Sequence, residues 1–275
     1  MKTAPVLILG GTGKTGKRVA QLLAEKKRPF RIGSRSGSPA FDWEDPATWP
    51  AALEGVGAVY ISYYPDLAVP GATDAIRALT QLAAESGVKR LVLLSGRGEK
   101  EAEACEEIVS NAGMEWTVLR CAWFSQNFSE GYLLEPLQAG FVALPAGDVR
   151  EPFIDTDDIA EVAVAALTEE GHAGELYELT GPRLMTFAEA VAEVADAAGR
   201  PIQYQQVSAE EYAGMLKEYG LPDDHIWLVN YLFSEVLDGR NESLADGVQR
   251  ALKRAPRDFK AYVRETAASG IWARQ

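Results

Sequence analysis

The sequence predicts an α/β protein: a doubly wound parallel sheet followed by a smaller, mostly helical C-terminal lobe. Three observations carry this. Short apolar runs alternate with helical periodicities from Val6 to Thr180, the pattern of parallel strands joined by helical crossovers. The first apolar run leads directly into a glycine-rich turn, Gly10 to Gly16, that opens an amphipathic helix. From Ile202 onward helical patterning dominates.

The elements follow in order. Val6 to Leu9 is the first strand, and the helix after it carries Val19, Leu22 and Leu23 on one face. Phe30 to Gly33 and Ala58 to Ser62 are the next strands. Thr73 to Glu85 places Ile76, Leu79 and Leu82 or Ala83 on one helical face, and Gly87 stops it. Arg90 to Ser95 is a buried strand, Glu99 to Ala112 a helix ended by Gly113, and Glu115 to Arg120 a strand. Each crossover is expected to be right-handed. Trp123 to Gly147 reads as aromatic and irregular. A helix follows, capped by Asp157 or Asp158, then a strand from Glu175 to Thr180. Thr186 and Glu189 form a capping-box pattern before the next helix. The expected division is a nucleotide-binding domain over 1–150, its sheet completed by 151–180, and a smaller substrate or lid lobe over 181–275 that closes over it.

Composition narrows the function classes. A net charge of −13 argues against direct nucleic-acid binding, which needs a basic surface to displace counterions. No apolar run approaches the roughly 18 residues of a membrane span. The opening run MKTAPVLILGG resembles a signal peptide in outline, but its apolar part is short and runs into the glycine turn, so it reads as the first strand. Cys105 and Cys121 cannot build a disulfide framework and read as free thiols of a reducing, cytoplasmic compartment. His172 and His225 lack ligand spacing, so no metal is expected.

The glycine turn gives the chemistry. Gly10, Gly13 and Gly16 lie at G-x-x-G-x-x-G spacing between a strand and a helix. Glycine permits the turn and close approach of the backbone to a pyrophosphate, and the helix N-terminus offers N–H groups and a positive dipole end. This is the fingerprint of a Rossmann-type dinucleotide fold. In such folds an acid near the end of the second strand selects NAD by holding the ribose hydroxyls. Here that strand ends Arg31-Ile32-Gly33-Ser34-Arg35-Ser36, without an acid. Ser34, Arg35 and Ser36 supply hydroxyls and a planar cation suited to a 2′-phosphate, and Lys14 adds charge, so the expected cofactor is NADP(H). Asp42 can accept from the adenine amino group while Trp43 supports the loop; alternatively Trp43 and Trp49 simply pack together. Ser62, Tyr63 and Tyr64 follow a strand end and are expected to border the cofactor. Ser95, Gly96 and Arg97 follow the next and are expected to face the nicotinamide.

The ordered set GGTGKTG, GSRS, FDWEDPATW, RLVLLSGRG, EWTVLRCAWFSQNF and PFIDTDDIA, spanning most of the chain, resembles the NmrA-like group of atypical short-chain dehydrogenases/reductases. GSRS, FDW, LRCAWFSQNF and the tail APRDFKAYVRETAASGIW are similar to the reductases of ergot-alkaloid biosynthesis and their bacterial relatives. The resemblance implies a Rossmann domain with a small substrate lobe. It carries the glycine loop onto Gly10, Thr12, Gly13, Lys14, Thr15 and Gly16, and the 2′-phosphate pocket onto Ser34 and Arg35.

One departure shapes the expected reaction. Ordinary short-chain dehydrogenases use a Tyr-x-x-x-Lys pair as proton donor. None of the 10 tyrosines here has lysine four residues on, and Ala102 stands where many NmrA-like relatives keep a lysine. Ser95 alone is a poor acid. The expected substrate is therefore an electron-poor small molecule such as an iminium ion, a quinone or a conjugated carbonyl. Tyr63, Tyr64, Trp123, Phe124 and Phe128 are either stacking partners for a flat substrate or core. Ser95, Arg97 and Tyr63 are the catalytic candidates; Arg97 or Tyr63 would donate to a substrate oxygen, or Arg97 is a solvated loop residue. A second reading is a non-catalytic NADP(H) sensor that binds a protein partner.

Overall fold

In a computed structural model, which describes residues 4–273, the chain separates into two compact units that interleave in sequence. The first holds the chain up to Cys121, Thr156–Leu179 and Asp246–Arg254; the second holds Ala122–Asp155, Thr180–Ala245 and the chain from Ala255. Met1 to Thr3 of the opening run lie outside the described residues. The division departs from the expected boundaries at 150 and 181. Residues 122–155 fall outside the unit that holds the six-stranded sheet, and 246–254 join it.

The first unit is built on six strands: β1 (Val6–Leu9), β2 (Phe30–Gly33), β3 (Ala58–Ile61), β4 (Arg90–Gly96), β5 (Glu115–Cys121) and β8 (Glu175–Leu179). They form one all-parallel sheet in the order β2-β1-β3-β4-β5-β8. The strand order reverses direction between β1 and β3, and a ligand crevice belongs outside the carboxyl ends of strands at such a switch point. All four residues of β1 are buried, as required of a central parallel strand covered on both faces.

The helices are α1 (Lys14–Glu25), α2 (Trp49–Leu53), α3 (Ala72–Glu85), α4 (Lys100–Ser110), α7 (Thr156–Thr168) and α11 (Gly247–Leu252). α1 packs against α7, and α3 against α4. α1 buries Val19, Ala20 and Leu23, and α3 buries Ile76, Leu79 and Ala83, the apolar stripes of the sequence. Burying each large aliphatic side chain of these stripes contributes about 1.5–3 kcal/mol. α3 ends where Gly87 adopts φ +80°, with Val88 N–H donating back to Ala83 O. α11 belongs to this unit because Gly247 lies directly on β8: a Cβ at that position would overlap the Glu178 carbonyl.

Asp157 and Asp158 are not caps. α7 already begins at Thr156, so both lie in its first turn. Asp157 accepts from Arg18 Nε at 2.6 Å, and fully buried Asp158 pairs with Arg254 at 2.7 Å.

The second unit contains α5 (Asn127–Glu130), α6 (Leu134–Ala139), β6 (Phe141–Leu144), β7 (Arg150–Glu151), β9 (Met185–Thr186), α8 (Phe187–Ala198) and β10 (Gln203–Gln206). After these come α9 (Ala209–Glu218), α10 (Asp223–Tyr231), a π-helical turn (Leu232–Val236) and α12 (Phe259–Ala268). β6 pairs in parallel with β10, and β7 antiparallel with β9. The stretch expected to be irregular thus holds two short helices and a strand. Its aromatic residues are spaced to fill a core rather than to mark one helical face. That core gathers Phe128, Phe153, Phe187 and Phe259, and Trp272 Nε1 donates to Phe128 O at 2.8 Å. The Thr186–Glu189 capping box is formed, and a second joins Ser208 to Glu211.

Candidate dinucleotide site

The glycine loop leaves β1 at Gly10, which adopts φ +71°, a region that favours glycine. Gly13 N–H donates to Gly10 O at 2.9 Å and closes the turn. A Cβ at Gly10 would stand 2.9 Å from Ser62 O, so the end of β3 lies directly beside the loop. At Gly16 a Cβ would overlap the Gly10 carbonyl and the Gly11 Cα, because α1 starts in contact with the turn that precedes it. Gly13 occupies the N-cap of α1 with no side-chain cap, and the first turn carries no acidic residue. This backbone cradle, with a positive helix end and no carboxylate to oppose an anion, fits a pyrophosphate. Thr12 and Gly13 are exposed and Lys14 is half-buried.

Thr15 turns its side chain inward. Its side chain is buried and accepts a hydrogen bond from Tyr60 Oη at 3.0 Å. The hydroxyl therefore serves the core, and the main-chain N–H is the group Thr15 has at the helix end.

At the end of β2, Gly37 N–H and Phe41 N–H both donate to Ser34 O and fold the following loop tightly. Ser34 Oγ and Ser36 Oγ lie 3.5 Å apart, and Arg35 is exposed. Asp42 Oδ1 accepts from Glu44 N–H at 3.1 Å, and its carbonyl accepts from Trp49 Nε1 at 2.6 Å. Trp43 lies 5.0 Å from Phe41, 5.9 Å from Trp49 and 4.7 Å from Tyr63, ring centre to ring centre. Of the two readings given to Trp43 and Trp49, mutual packing is the one this cluster displays. Tyr63 is half-buried in it, and burial pushes its phenol above the ordinary value, so it stays protonated. Tyr64 is 68% exposed.

The ends of β4, β5 and β8 carry a charged network. Ser95 Oγ donates to Glu106 Oε1 at 2.6 Å. Glu106 also accepts from Arg120, at 3.0 Å from Nε and in a shorter contact from Nη2. Glu178 reaches Arg120 at 3.5 Å and Arg97 at 3.6 Å. Arg97 is 7% exposed, and its N–H donates to Cys121 O, so it is not a solvated loop residue. Ser95, with its one proton committed to a carboxylate, presents only lone pairs elsewhere. Gly96 lies against Glu99: a Cβ there would meet the Glu99 carboxyl. Arg120 lies in the LRCAWFSQNF stretch, whereas Glu106, Glu178 and Glu99 belong to no motif. One sign of Glu106 was available, since it falls on the face of α4 that Ala102, Cys105 and Val109 bury. A charge on an apolar stripe needs a partner.

The remaining expected substrate residues belong to the second unit. Trp123 is half-buried, 5.2 Å from Phe187 and 5.0 Å from Phe233. Phe124 is half-buried, its backbone bridged to Ile154. Phe128 has no exposed surface and packs between Phe153, Phe187 and Phe259. It is core rather than pocket lining, because the ring completes the aromatic cluster of that unit. Among the described residues no group of three or more acidic, histidine or cysteine side chains is placed to hold a metal ion. No helix among them is long and apolar enough to cross a membrane.

Comparison with known proteins adds the following. A family model described as NAD(P)H-binding matches residues 10–170. Agroclavine dehydrogenase of Claviceps fusiformis is 33% identical, over 97% of this chain and 98% of its own. The NAD(P)H azoreductase of Xenophilus azovorans is 30% identical, over 96% and 98%. The NADPH complex of the NADPH-dependent quinone oxidoreductase of Escherichia coli superposes with a TM-score of 0.80 at 24% identity, covering 95% of this chain and 99% of that one.

Proposed function

Because the chain belongs to the NAD(P)H-binding family of atypical short-chain dehydrogenases/reductases, whose relatives include a dehydrogenase and an azoreductase, we propose that it is an NADPH-dependent reductase of an electron-poor small molecule: a quinone, a conjugated carbonyl or an iminium ion. The observation that carries the choice of NADPH is the Ser34-Arg35-Ser36 turn at the end of β2, which offers two hydroxyls and an exposed guanidinium and no carboxylate. A carboxylate there would repel a 2′-phosphate, and a guanidinium binds one through parallel N–H donors. The bound nicotinamide supplies a hydride.

The chain's own groups do the rest. The main chain of Gly10 to Gly16 binds the pyrophosphate, with Lys14 adding charge. Asp42 borders the adenine end, and Ser62, Tyr63 and Tyr64 line the strand end beside Gly10. Ser95, fixed by Glu106, accepts from an amide or hydroxyl donor at the nicotinamide end. Arg97, held by Glu178, keeps positive charge near the end of β4, where charge developing on an acceptor oxygen is stabilised. Catalysis is mainly positioning and electrostatics, in keeping with the missing Tyr-x-x-x-Lys pair. The dehydrogenase and azoreductase relatives favour this reading over the sensor reading. The buried free thiols Cys105 and Cys121 suit a reducing, cytoplasmic setting.

The test is a titration of wild type and Arg35→Ala with NADPH and NADH, followed by oxidation of NADPH against a panel of quinones, enals and iminium ions. Arg35→Ala is expected to weaken NADPH at least ten-fold more than NADH, about 1.4 kcal/mol of selectivity. Equal losses for the two cofactors would remove the 2′-phosphate argument, and tight binding without turnover across the panel would remove the reductase.

A further inference from the structure

α3 and α4 each bury one face and leave a groove between their outer faces. α3 turns Ile76, Leu79 and Ala83 to the core, and α4 turns Ala102, Cys105 and Val109. The groove between the two helices has a volume of about 580 Å³. Its walls include Arg77, Thr80 and Ala84 from α3 and Ala104, Glu107 and Ile108 from α4. Arg77 and Glu107 are exposed charges of opposite sign on the two walls, and neither makes an ion pair with any described residue. Thr80 is 4% exposed, and its Oγ1 has no hydrogen-bond partner among the described residues. A buried hydroxyl left unpaired costs about 1–3 kcal/mol, so a polar group belongs over this wall. Ala84 and Ala104 keep both walls low, which lets a further helix approach closely, and half-buried Ile108 offers it apolar contact.

We propose that this groove is the interface of a homodimer, in which α3 and α4 of two copies pack as a four-helix bundle about a two-fold axis along the groove. β3 and β4 pair in parallel, so the helices that follow them lie side by side and run in one direction. A two-fold axis along that direction exchanges the walls at unchanged height, and α3 of one copy faces α4 of the other. Arg77 then meets Glu107 of the second copy, and the same pair forms again across the axis, as an isologous contact requires. The occupant is a second copy because the groove carries its own complement, a cation on one wall and an anion on the other. A partner of one sign would leave one wall unmatched. With a net charge of −13 two copies repel at long range, so local matches of this kind decide where they can meet. α3 has 14 residues and α4 has 11, about three to four turns each, the length of ordinary bundle helices.

The test is sedimentation of the full chain over a range of concentrations, for wild type and two charge reversals. Both side chains are exposed, so Arg77→Glu and Glu107→Arg are expected to fold, which urea unfolding checks. Wild type should be a dimer that dissociates on dilution. Arg77→Glu sets glutamate against glutamate on both sides of the axis, and Glu107→Arg sets arginine against arginine. Each should weaken the dimer by at least about ten-fold. An equal mixture of the two variants should recover a dimer, because glutamate at 77 then meets arginine at 107 and Arg77 meets Glu107. Arg77→Glu/Glu107→Arg should recover it without mixing. A monomeric wild type overturns the proposal, and so does a dimer that both reversals leave intact. A dimer that the reversals weaken but neither mixing nor the double variant restores overturns the two-fold pairing. The readout is mass rather than turnover, so none of these outcomes bears on the reductase reading.

Discussion

Tyr60 on β3 donates its phenol hydrogen bond to Thr15 on α1 at 3.0 Å, both side chains inside the core. The contact ties the start of α1 to the sheet, and it holds the Thr15 hydroxyl inside the core. Burial also raises the Tyr60 phenol far above its ordinary value, so it stays a donor throughout the working range. Thr15→Ala would leave that buried donor unpaired, at a cost of about 1–3 kcal/mol. The double variant Thr15→Ala/Tyr60→Phe should lose less than the two single variants together. Urea unfolding of the four proteins measures the difference. NADPH affinity of Thr15→Ala should stay within about three-fold of wild type, under 1 kcal/mol. A larger loss would place the hydroxyl on the cofactor.

The glycines of the loop should not respond alike. Gly16 touches the Gly10–Gly11 backbone, and no flexible side chain is there to yield. Gly13 has φ −77°, and a Cβ there would stand 3.3 Å from Gly10 O. Gly16→Ala should therefore destabilise the protein by about 1–3 kcal/mol and weaken NADPH binding, because the loop must shift. Gly13→Ala should fold nearly as well as wild type. Thermal melts with and without NADPH separate the two, and equal losses would contradict the geometry.

Much of this first unit can be read from sequence because its signals are local. Val6 to Leu9 is a continuous apolar run, α3 keeps a clean stripe, and Gly10 to Gly16 is a spacing that one backbone geometry explains. The second unit resists such reading. Phe128, Phe153, Phe187 and Phe259 come from four separate stretches, and only their packing makes them neighbours. The same holds within the site. Ser95 stands at the end of a strand and can be anticipated at its place, whereas its partner Glu106 lies 11 residues on, and Arg120 and Glu178 are brought to it by the sheet register that sets Arg120 beside Glu178.

His172 gives the protein a predictable response to mild acid. Its ring is largely buried, and Nδ1 lies 2.9 Å from Tyr177 Oη. Desolvation lowers its value below that of a free histidine, with Glu169 opposing part of the shift. A histidine lowered on folding binds protons more readily in the unfolded chain, so stability rises with pH across its window. The contribution is complete above the unfolded value of about 6.5 and is lost as pH falls through the folded value. His172→Gln should reduce the slope of unfolding free energy against pH below about 6.5. Denaturation curves at closely spaced pH values measure it, and an unaltered slope would mean that the imidazole titrates alike in both states.

Arg120 is the residue on which the charged network depends. Glu106 is nearly inaccessible, and its charge is met by the Arg120 guanidinium and the Ser95 hydroxyl. The contact with Glu106 raises the guanidinium further, so Arg120 is always charged. Arg120→Met would leave Glu106 buried with only a neutral donor, which typically costs about 3–5 kcal/mol. Arg120→Lys should recover only part of this, because an ammonium cannot present Nε and Nη2 together to one carboxylate. Removing both charges in Arg120→Met/Glu106→Leu should restore most of the stability, since a well-packed apolar pair replaces a costly buried ion pair. That double variant separates fold from site. It frees the Ser95 hydroxyl from Glu106, so Ser95 can rotate and donate. If Ser95 acts at the nicotinamide end as a fixed acceptor, the double variant should be stable in urea yet bind NADPH more weakly than wild type. A variant both stable and unchanged in NADPH affinity would show that the network serves the fold alone.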